Sequence, residues 1–363
     1  MIPFLDLSRI HLPLKQEFIE SFGQLIDDSE FILGNSVEKF EQEFAQFCGS
    51  AFCVSVNTGT SALHLALGAL GIGEGDEVIV PAMTFIATAA SVSYTGATPR
   101  FVDIDSETWN IDPSKIEAAI NSKTRAILPV HLHGLMADMP AIMKIAEKHG
   151  LHVIEDAAQA HGASINGKGA GTFGVAGCFS FYPGKNLGAL GEGGAVTTDN
   201  VDLQDKIKLL RNWGSRNKYI HEVVAYNNRL ESVQAAMLTL KLKHLDLWTK
   251  QRQEARSLYQ ESLEYSEFAA SKIPNGFAHV NHIFAVCTKN RDKVTSALTS
   301  AGIGWGIHYP VPLHLQPAFA ELGYQEGDFP VSERLGNEWI SLPLFPGITV
   351  GEISQVVSVL KGI

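Results

Sequence analysis

Between residues 52 and 199 the chain alternates short β-rich runs with stretches of helical spacing, and this alternation restricts the fold more than any other feature. FCVSV (52–56), EVIVP (77–81), RFVDID (100–105), RAILPVHLH (125–133), HVIEDAA (152–158), CFSFY (178–182) and GAVTTD (194–199) read as strands. TSALHLALGALG (60–71), PSKIEAAINS and MPAIMKIAEKHG set apolar residues at helical intervals between them. Parallel neighbours need long crossovers, and helices supply them, so the pattern predicts a mostly parallel α/β sheet. SVQAAMLTLKLKHLDLWTKQRQEARSLYQESL (232–263) reads as one long helix leading out of this region. The expected division is a large domain with an N-terminal arm over 1–244 and a smaller α+β domain over 245–363.

With 363 residues, 45% of them hydrophobic, the chain has ample apolar material for such a core. A net charge of −11 argues against a general nucleic-acid binder. The first residues, MIPFLDLSRI, mix acid and base and lack a signal-peptide core, and no apolar run reaches membrane-spanning length, so a cytoplasmic location is expected. Cys48, Cys53, Cys178 and Cys287 form no CxxC pair and read as buried thiols. One basic island, KIKLLRNWGSRNKYIH (206–221), with Arg229 shortly after, is either a solvated face or a seat for an anionic ligand.

The chemistry concentrates in FSFYPGKNLGALGEGGA (179–195), which holds five glycines and a single positive charge, Lys185. A lone amine in such a turn is a phosphate clamp or an amine held for covalent work. It fails as a Walker A loop, because Phe179 stands where the first glycine belongs and Asn186 where Ser or Thr should follow the lysine. No glycine cluster completes a dinucleotide fingerprint, HExxH is absent, and no metal site is expected. The covalent amine is left. A Schiff-base lysine implies a carbonyl cofactor, most often pyridoxal phosphate, which needs an acid at its ring nitrogen and donors for its phosphate. Asp156 sits at the C-terminal end of an apolar strand, where ligands of open α/β sheets collect, although an N-cap or ion-pair role also suits it. Gly59 and Thr60 sit at a strand-to-helix turn, an anion site by its free amides, and Ser180 could add a hydroxyl.

PFLDL, FILG, NTGTSALHLAL, EVIVPAMTFIATA, EDAAQAHGA, FSFYPGKNLGALGEGGA, YNNRLESVQAA and HYPVPLHLQPAF together resemble, nearly end to end, the DegT/DnrJ/EryC1/StrS family of pyridoxal-phosphate sugar aminotransferases, which have the aspartate-aminotransferase (type I) fold. The resemblance implies that Lys185 forms the Schiff base and later shuttles the proton, while Asp156 pairs with the pyridinium. It sets Gln159 toward the phenolic oxygen and stacks Phe85 on the ring, where the other reading of Phe85 is core. Gly59, Thr60 and Ser180 would hold the phosphate, joined by Asn227 from the other subunit of a homodimer with shared active sites. Arg229 would lie near the substrate anion, and His308 and Tyr309 would border the sugar. His161 is carried as a substrate-side residue; a core position is the alternative for it and for His131. The family's usual HLYG is His131-Leu132-His133-Gly134 here, GDGGA carries Glu192, and Trp213 replaces a commoner Tyr or His, which touches the sugar contacts rather than the chemistry.

The implied reaction moves an amino group from L-glutamate to a nucleotide-linked keto-sugar, with a dTDP-3-keto-6-deoxyhexose as the expected acceptor. The loop 308–319 has no arginine to favour a sugar carboxylate, and AQAHGA with Gln159 resembles the branch that aminates C3. The alternatives are amination at C4 of a dTDP- or UDP-linked 4-keto sugar, a UDP-3-keto uronic acid as acceptor, and, from a different class, a sensor that binds cofactor or sugar without turnover. The dehydratase branch replaces the lysine by histidine, and Lys185 is present.

Overall fold

A computed structural model describes all 363 residues, and none of its helices is long and apolar enough to cross a membrane. Strands β1 (Phe52–Val56), β2 (Glu77–Pro81), β3 (Thr98–Val102), β4 (Thr124–Ile127), β5 (His152–Asp156), β6 (Ala176–Ser180) and β7 (Gly194–Thr198) form one sheet in the order β1-β7-β6-β5-β4-β2-β3. Only β7 runs against its neighbours, so the other six strands point the same way. This is the mixed, mostly parallel seven-stranded sheet of the type I fold.

Successive strand residues face opposite layers. Cys53, Ile79, Val153, Phe179 and Ala195 join one core with the helices Asn35–Cys48, Met139–His149 and Ser232–Leu242. Val54, Val78, Val80, Ile154, Cys178 and Val196 join the other with the helices Gly59–Ala69, Ala87–Tyr94 and Val201–Arg211. A sheet buried on both faces reads as near-continuous apolar runs, as these strands do. All four cysteines are free thiols, and Cys287 alone is not fully buried.

Three expected elements differ most in extent. The run 100–105 begins earlier and stops at Val102, because the next residue, Asp103, turns its carboxylate to accept Ser332 N (2.9 Å), Ser332 Oγ (2.7 Å) and Val331 N (3.1 Å). The run 125–133 stops at Ile127, two residues before Pro129, and Leu132–Gly134 is a 3-10 turn with His133 at φ 59°. The single helix expected over 232–263 is two, Ser232–Leu242 and Leu245–Leu263. No glycine or proline marks this break. The two helices pack differently: Ala235, Leu238 and, at the start of the second helix, Leu245 bury against the large sheet, whereas Ala255, Tyr259 and Leu263 further along bury in another core.

That other core is built on a three-stranded antiparallel sheet of β8 (Ala269–Ala270), β9 (Phe284–Cys287) and β10 (Trp339–Leu342), in that order, with helices Arg291–Ser300 and Val350–Lys361. We propose that the domains divide at the break between Leu242 and Leu245. The N-terminal end crosses that division, since Ile2 bridges to Ile303 and buries in the small-domain core.

Candidate active site

The parallel strands end at one edge, and the residues that follow them converge there, as expected for an open α/β sheet. Thr58–Thr60 follow β1, Thr84 and Phe85 follow β2, Val130 follows β4, Asp156 ends β5 and Ser180 ends β6; all line one cavity of about 630 Å³. Lys185, Gly184 and Glu192 of the glycine turn enter from the side, and His282, Ile283, His308, Tyr309, Leu342 and Leu344 close it from the small-domain side.

Burial lowers the Lys185 amine from an ordinary 10.5 to about 8, and the neighbouring Asp156 carboxylate opposes that fall. Its turn is held by backbone bonds from Lys185 N to Tyr182 O (2.8 Å) and Ala189 N to Phe181 O (2.7 Å). Asn186 Nδ2 donates to Val280 O (3.0 Å), and the buried Lys241 ammonium donates to Gly188 O. Asp156 is buried, and burial raises its pKa against the pull of two donors: Thr88 Oγ1 at 2.8 Å from Oδ2 and Ala158 N at 3.2 Å from Oδ1. A buried carboxylate with only neutral donors is stabilised by a cationic partner. A protonated pyridine nitrogen is such a partner.

Thr58 is the N-cap of the helix Gly59–Ala69, its hydroxyl accepting Ser61 N at 2.9 Å. The amides of Gly59 and Thr60 therefore have no intrahelical acceptor and point out of the helix end, where the dipole favours an anion. The cap is Thr58, and Thr60 is left with its hydroxyl at the cavity. Gly59 is required by close approach: a Cβ there would lie 2.6 Å from Ser180 Cβ. Helix end and strand end are thus pressed into one cradle of amides and hydroxyls. Lys185, Asp156 and this cradle fit pyridoxal phosphate at its carbonyl, ring nitrogen and phosphate.

Gln159, expected near the cofactor's phenolic oxygen, is buried, accepts His133 N at 2.6 Å and donates from Nε2 to the Tyr309 hydroxyl at 3.3 Å. Phe85 is 52% exposed, which excludes the core reading, and its ring lies 5.5 Å from that of Tyr309. His308 Nδ1 shares a hydrogen bond with Ser341 Oγ (2.9 Å); burial, aided by the Lys185 charge, holds its pKa down to about 4. Nine of the expected site residues therefore meet in one place: Gly59, Thr60, Phe85, Asp156, Gln159, Ser180, Lys185, His308 and Tyr309 line the cavity.

His161 is not among them. It is fully buried behind β6, with its ring 5.5 Å from Phe179, 5.7 Å from Phe181 and 6.5 Å from Phe44, and desolvation holds it neutral. The substrate-side reading of His161 is corrected to a core one. His131 is likewise buried and spans Glu155 Oε2 (2.9 Å) and Ala137 N (3.2 Å). Asn227 and Arg229 lie outside this protomer's cavity; Asn227 is exposed, and Arg229 donates to Asn212 Oδ1 at 3.2 Å. The basic island does not line the cavity either. Arg211 turns inward to Glu41 (2.5 Å) and Ser55 O (2.6 Å), and Arg216 faces Asp205 and Glu222. Residues to which the sequence assigned no role also appear: Phe4, Leu5, Thr58, Thr84, Tyr182 and His282 line the cavity, and Thr88 orients Asp156. Thr58 carries a local signal for its capping role, a Thr immediately before an apolar helical run.

Comparison with known proteins agrees with this geometry. UDP-N-acetyl-3-dehydro-alpha-D-glucosamine 3-aminotransferase of Acidithiobacillus ferrooxidans is 47% identical over 360 residues, covering 99% of this chain and 97% of that protein. dTDP-3-amino-3,6-dideoxy-alpha-D-galactopyranose transaminase of Aneurinibacillus thermoaerophilus is 44% identical over 361 residues, covering 99% of each. The crystal structure of S. venezuelae DesV in complex with a ketimine intermediate superposes with a TM-score of 0.97 at 43% identity, covering 99% of this chain and 98% of that one. The family model for DegT/DnrJ/EryC1/StrS aminotransferases matches residues 13–361. The chain belongs to this family of pyridoxal-phosphate-dependent aminotransferases.

Proposed function

We propose that the protein transfers the amino group of L-glutamate to C3 of a nucleotide-linked keto-sugar, with a dTDP-3-keto-6-deoxyhexose as acceptor. The observation that carries this reading is a single cavity with Lys185 and Asp156 on one side and a neutral His308 and Tyr309 on the other. Bound pyridoxal phosphate supplies an electron sink for the carbanion left when a proton leaves the amine-bearing carbon. Asp156, oriented by Thr88 and the Ala158 amide, would accept the ring N–H, and Gly59, Thr60 and Ser180 would donate to the phosphate. Lys185 Nζ takes and returns the proton, and a pKa near 8 leaves a useful share of the amine uncharged at neutral pH. His308 and Tyr309 orient sugar hydroxyls, and the apolar side chains of Ile283, Leu342 and Leu344 exclude water beside them. Asn227 and Arg229, outside their own protomer's cavity, serve the partner's phosphate and substrate anion in a homodimer.

The C3 assignment draws support from the two relatives, both named for amination at C3, and from the absence of arginine in residues 308–319. The test incubates enzyme and glutamate separately with dTDP-3-keto and dTDP-4-keto 6-deoxyhexoses and with a UDP-3-keto sugar, then locates the new amine by NMR and assays 2-oxoglutarate. A C3 amine on the dTDP sugar is the expected product. Amination confined to C4, or to the UDP sugar, overturns the substrate reading and leaves the aminotransferase standing.

A further inference from the structure

The N-terminal segment enters the active site between two anchors. Ile2 N donates to Gly302 O (3.0 Å) and Gly304 N to Ile2 O (2.7 Å), fixing one end on the small domain. At the other end Arg9 holds Glu352 at 2.5 Å, Gly347 O at 2.5 Å and Asp6 at 3.1 Å, and lies over the Phe345 ring. Between these anchors Phe4 and Leu5 line the cavity. The Phe4 ring stacks on the His308 imidazole with centroids 5.5 Å apart and planes 19° off parallel.

We propose that Phe4 is a substrate-positioning residue whose ring fixes the face of His308, so that this N-terminal segment is a working wall of the sugar site. The proposal rests on the sugar-aminotransferase reading above. His308 is held at its backbone and at one ring nitrogen. Ser341 Oγ takes Nδ1 at 2.9 Å, the His133 ring holds the His308 carbonyl at 3.0 Å, and Gly306 leaves space that a Cβ would close to 2.7 Å from Cε1. Phe4 covers one face of the ring. Nε2 has no recorded protein partner, and His308 lines the cavity, so this nitrogen is the one left for substrate. Lys185, His133, His282 and Tyr309 are titratable neighbours, and burial keeps the imidazole neutral, able to donate or accept at Nε2 according to tautomer. A flat ring on a flat ring restricts rotation about the His308 side chain, which bulk alone does not.

The test compares Phe4→Ala, Phe4→Leu and Phe4→Tyr in the full chain, with cofactor content and thermal midpoint checked first. Phe4→Ala is expected to raise the sugar KM about two- to tenfold, the range an aromatic pair accounts for, and to raise it further than the glutamate KM. Phe4→Leu keeps bulk without a flat face and falls between, and Phe4→Tyr recovers most of the loss. A ring-NMR titration of cofactor-free protein gives a readout apart from turnover: His308 is expected to move up from about 4 toward the ordinary 6.5 in Phe4→Ala as water reaches it. Equal loss in the sugar and glutamate half-reactions overturns the proposal, because it marks a general scaffold role. An unchanged sugar KM overturns it as well. If the unaltered enzyme aminates no keto-sugar, the substrate reading fails, and an unmoved His308 titration then overturns the positioning role by itself.

Discussion

Gly59→Ala tests the cradle where its packing is tightest. The new methyl would sit 2.6 Å from Ser180 Cβ and 3.0 Å from Ser180 Cα, against 3.4–4 Å for ordinary contact. Neither side gives easily. Ser180 is paired in the sheet opposite Gly194, and Gly194 is itself so close that a Cβ there would lie 2.3 Å from Thr58 O. The helix end must therefore retreat by roughly 0.8 Å, at an overpacking cost of about 1–3 kcal/mol. Alanine returns part of this, about 0.5–1 kcal/mol, through its better helix propensity. The fold is expected to lose little.

Cofactor binding loses more, because the retreating amides of Gly59 and Thr60 are the donors to the phosphate. Hydrogen bonds to a charged acceptor contribute about 1.5–3 kcal/mol each, so weakening one of them costs about ten- to a hundredfold in affinity. The ligand for the assay is pyridoxamine phosphate, which has no aldehyde to react with Lys185 and so reports non-covalent binding, in which the Asp156 and Phe85 contacts are common to both proteins and the cradle is what differs. Titration by absorbance gives its Kd, and a far-UV melt of the cofactor-free protein gives the stability change. A Kd within twofold of the unaltered protein refutes the reasoning, because the phosphate would then sit elsewhere. A fall in thermal midpoint large enough to unfold the cofactor-free variant would refute the claim that the damage is local.

Two further outcomes follow from the same geometry. In cofactor-free protein the rate of pyridoxal phosphate capture should rise with pH and level off above a midpoint near 8, since the uncharged Lys185 amine is the form that attacks; Asp156→Asn removes the carboxylate that holds the amine up, and should move the midpoint lower, whereas a midpoint near 10.5 would contradict the burial argument. Mixing inactive Lys185→Ala subunits with inactive Asn227→Ala/Arg229→Ala subunits should recover activity, up to about a quarter of the unaltered level because half of randomly formed dimers are mixed and each carries one intact site of two; no recovery in verified mixed dimers refutes shared sites.

What could be read from the sequence was whatever a local pattern encodes. Strands of the large sheet stand out because burial on both faces demands apolar runs, and Asp156 and Ser180 stand out because they end such runs at the edge where ligands collect. Lys185 is legible because it is the single positive charge in a glycine turn. Contacts made across the fold leave no such trace. Thr88 looks like any small residue in a helix start until β5 delivers Asp156 within 2.8 Å of its hydroxyl. The break after Leu242 carries no glycine or proline, and the passage from the large-sheet core at Leu245 to the other core at Ala255 is a tertiary fact that local spacing does not encode. Arg211 reads as part of a basic surface, yet the partners that draw it inward, Glu41 and Ser55, lie more than 150 residues earlier. His161 shows the converse error: a histidine five residues after Asp156 belongs by position to the site, but Phe179 of β6 and Phe181 just after it pack against its ring and close it from the cavity. Phe4 is the extreme case, a residue next to the start of the sequence whose ring meets His308 only because Ile2 pairs with Ile303. For residues of this kind the sequence supplies the side chain, and a long-range pairing elsewhere decides whether that side chain works on substrate or fills a core.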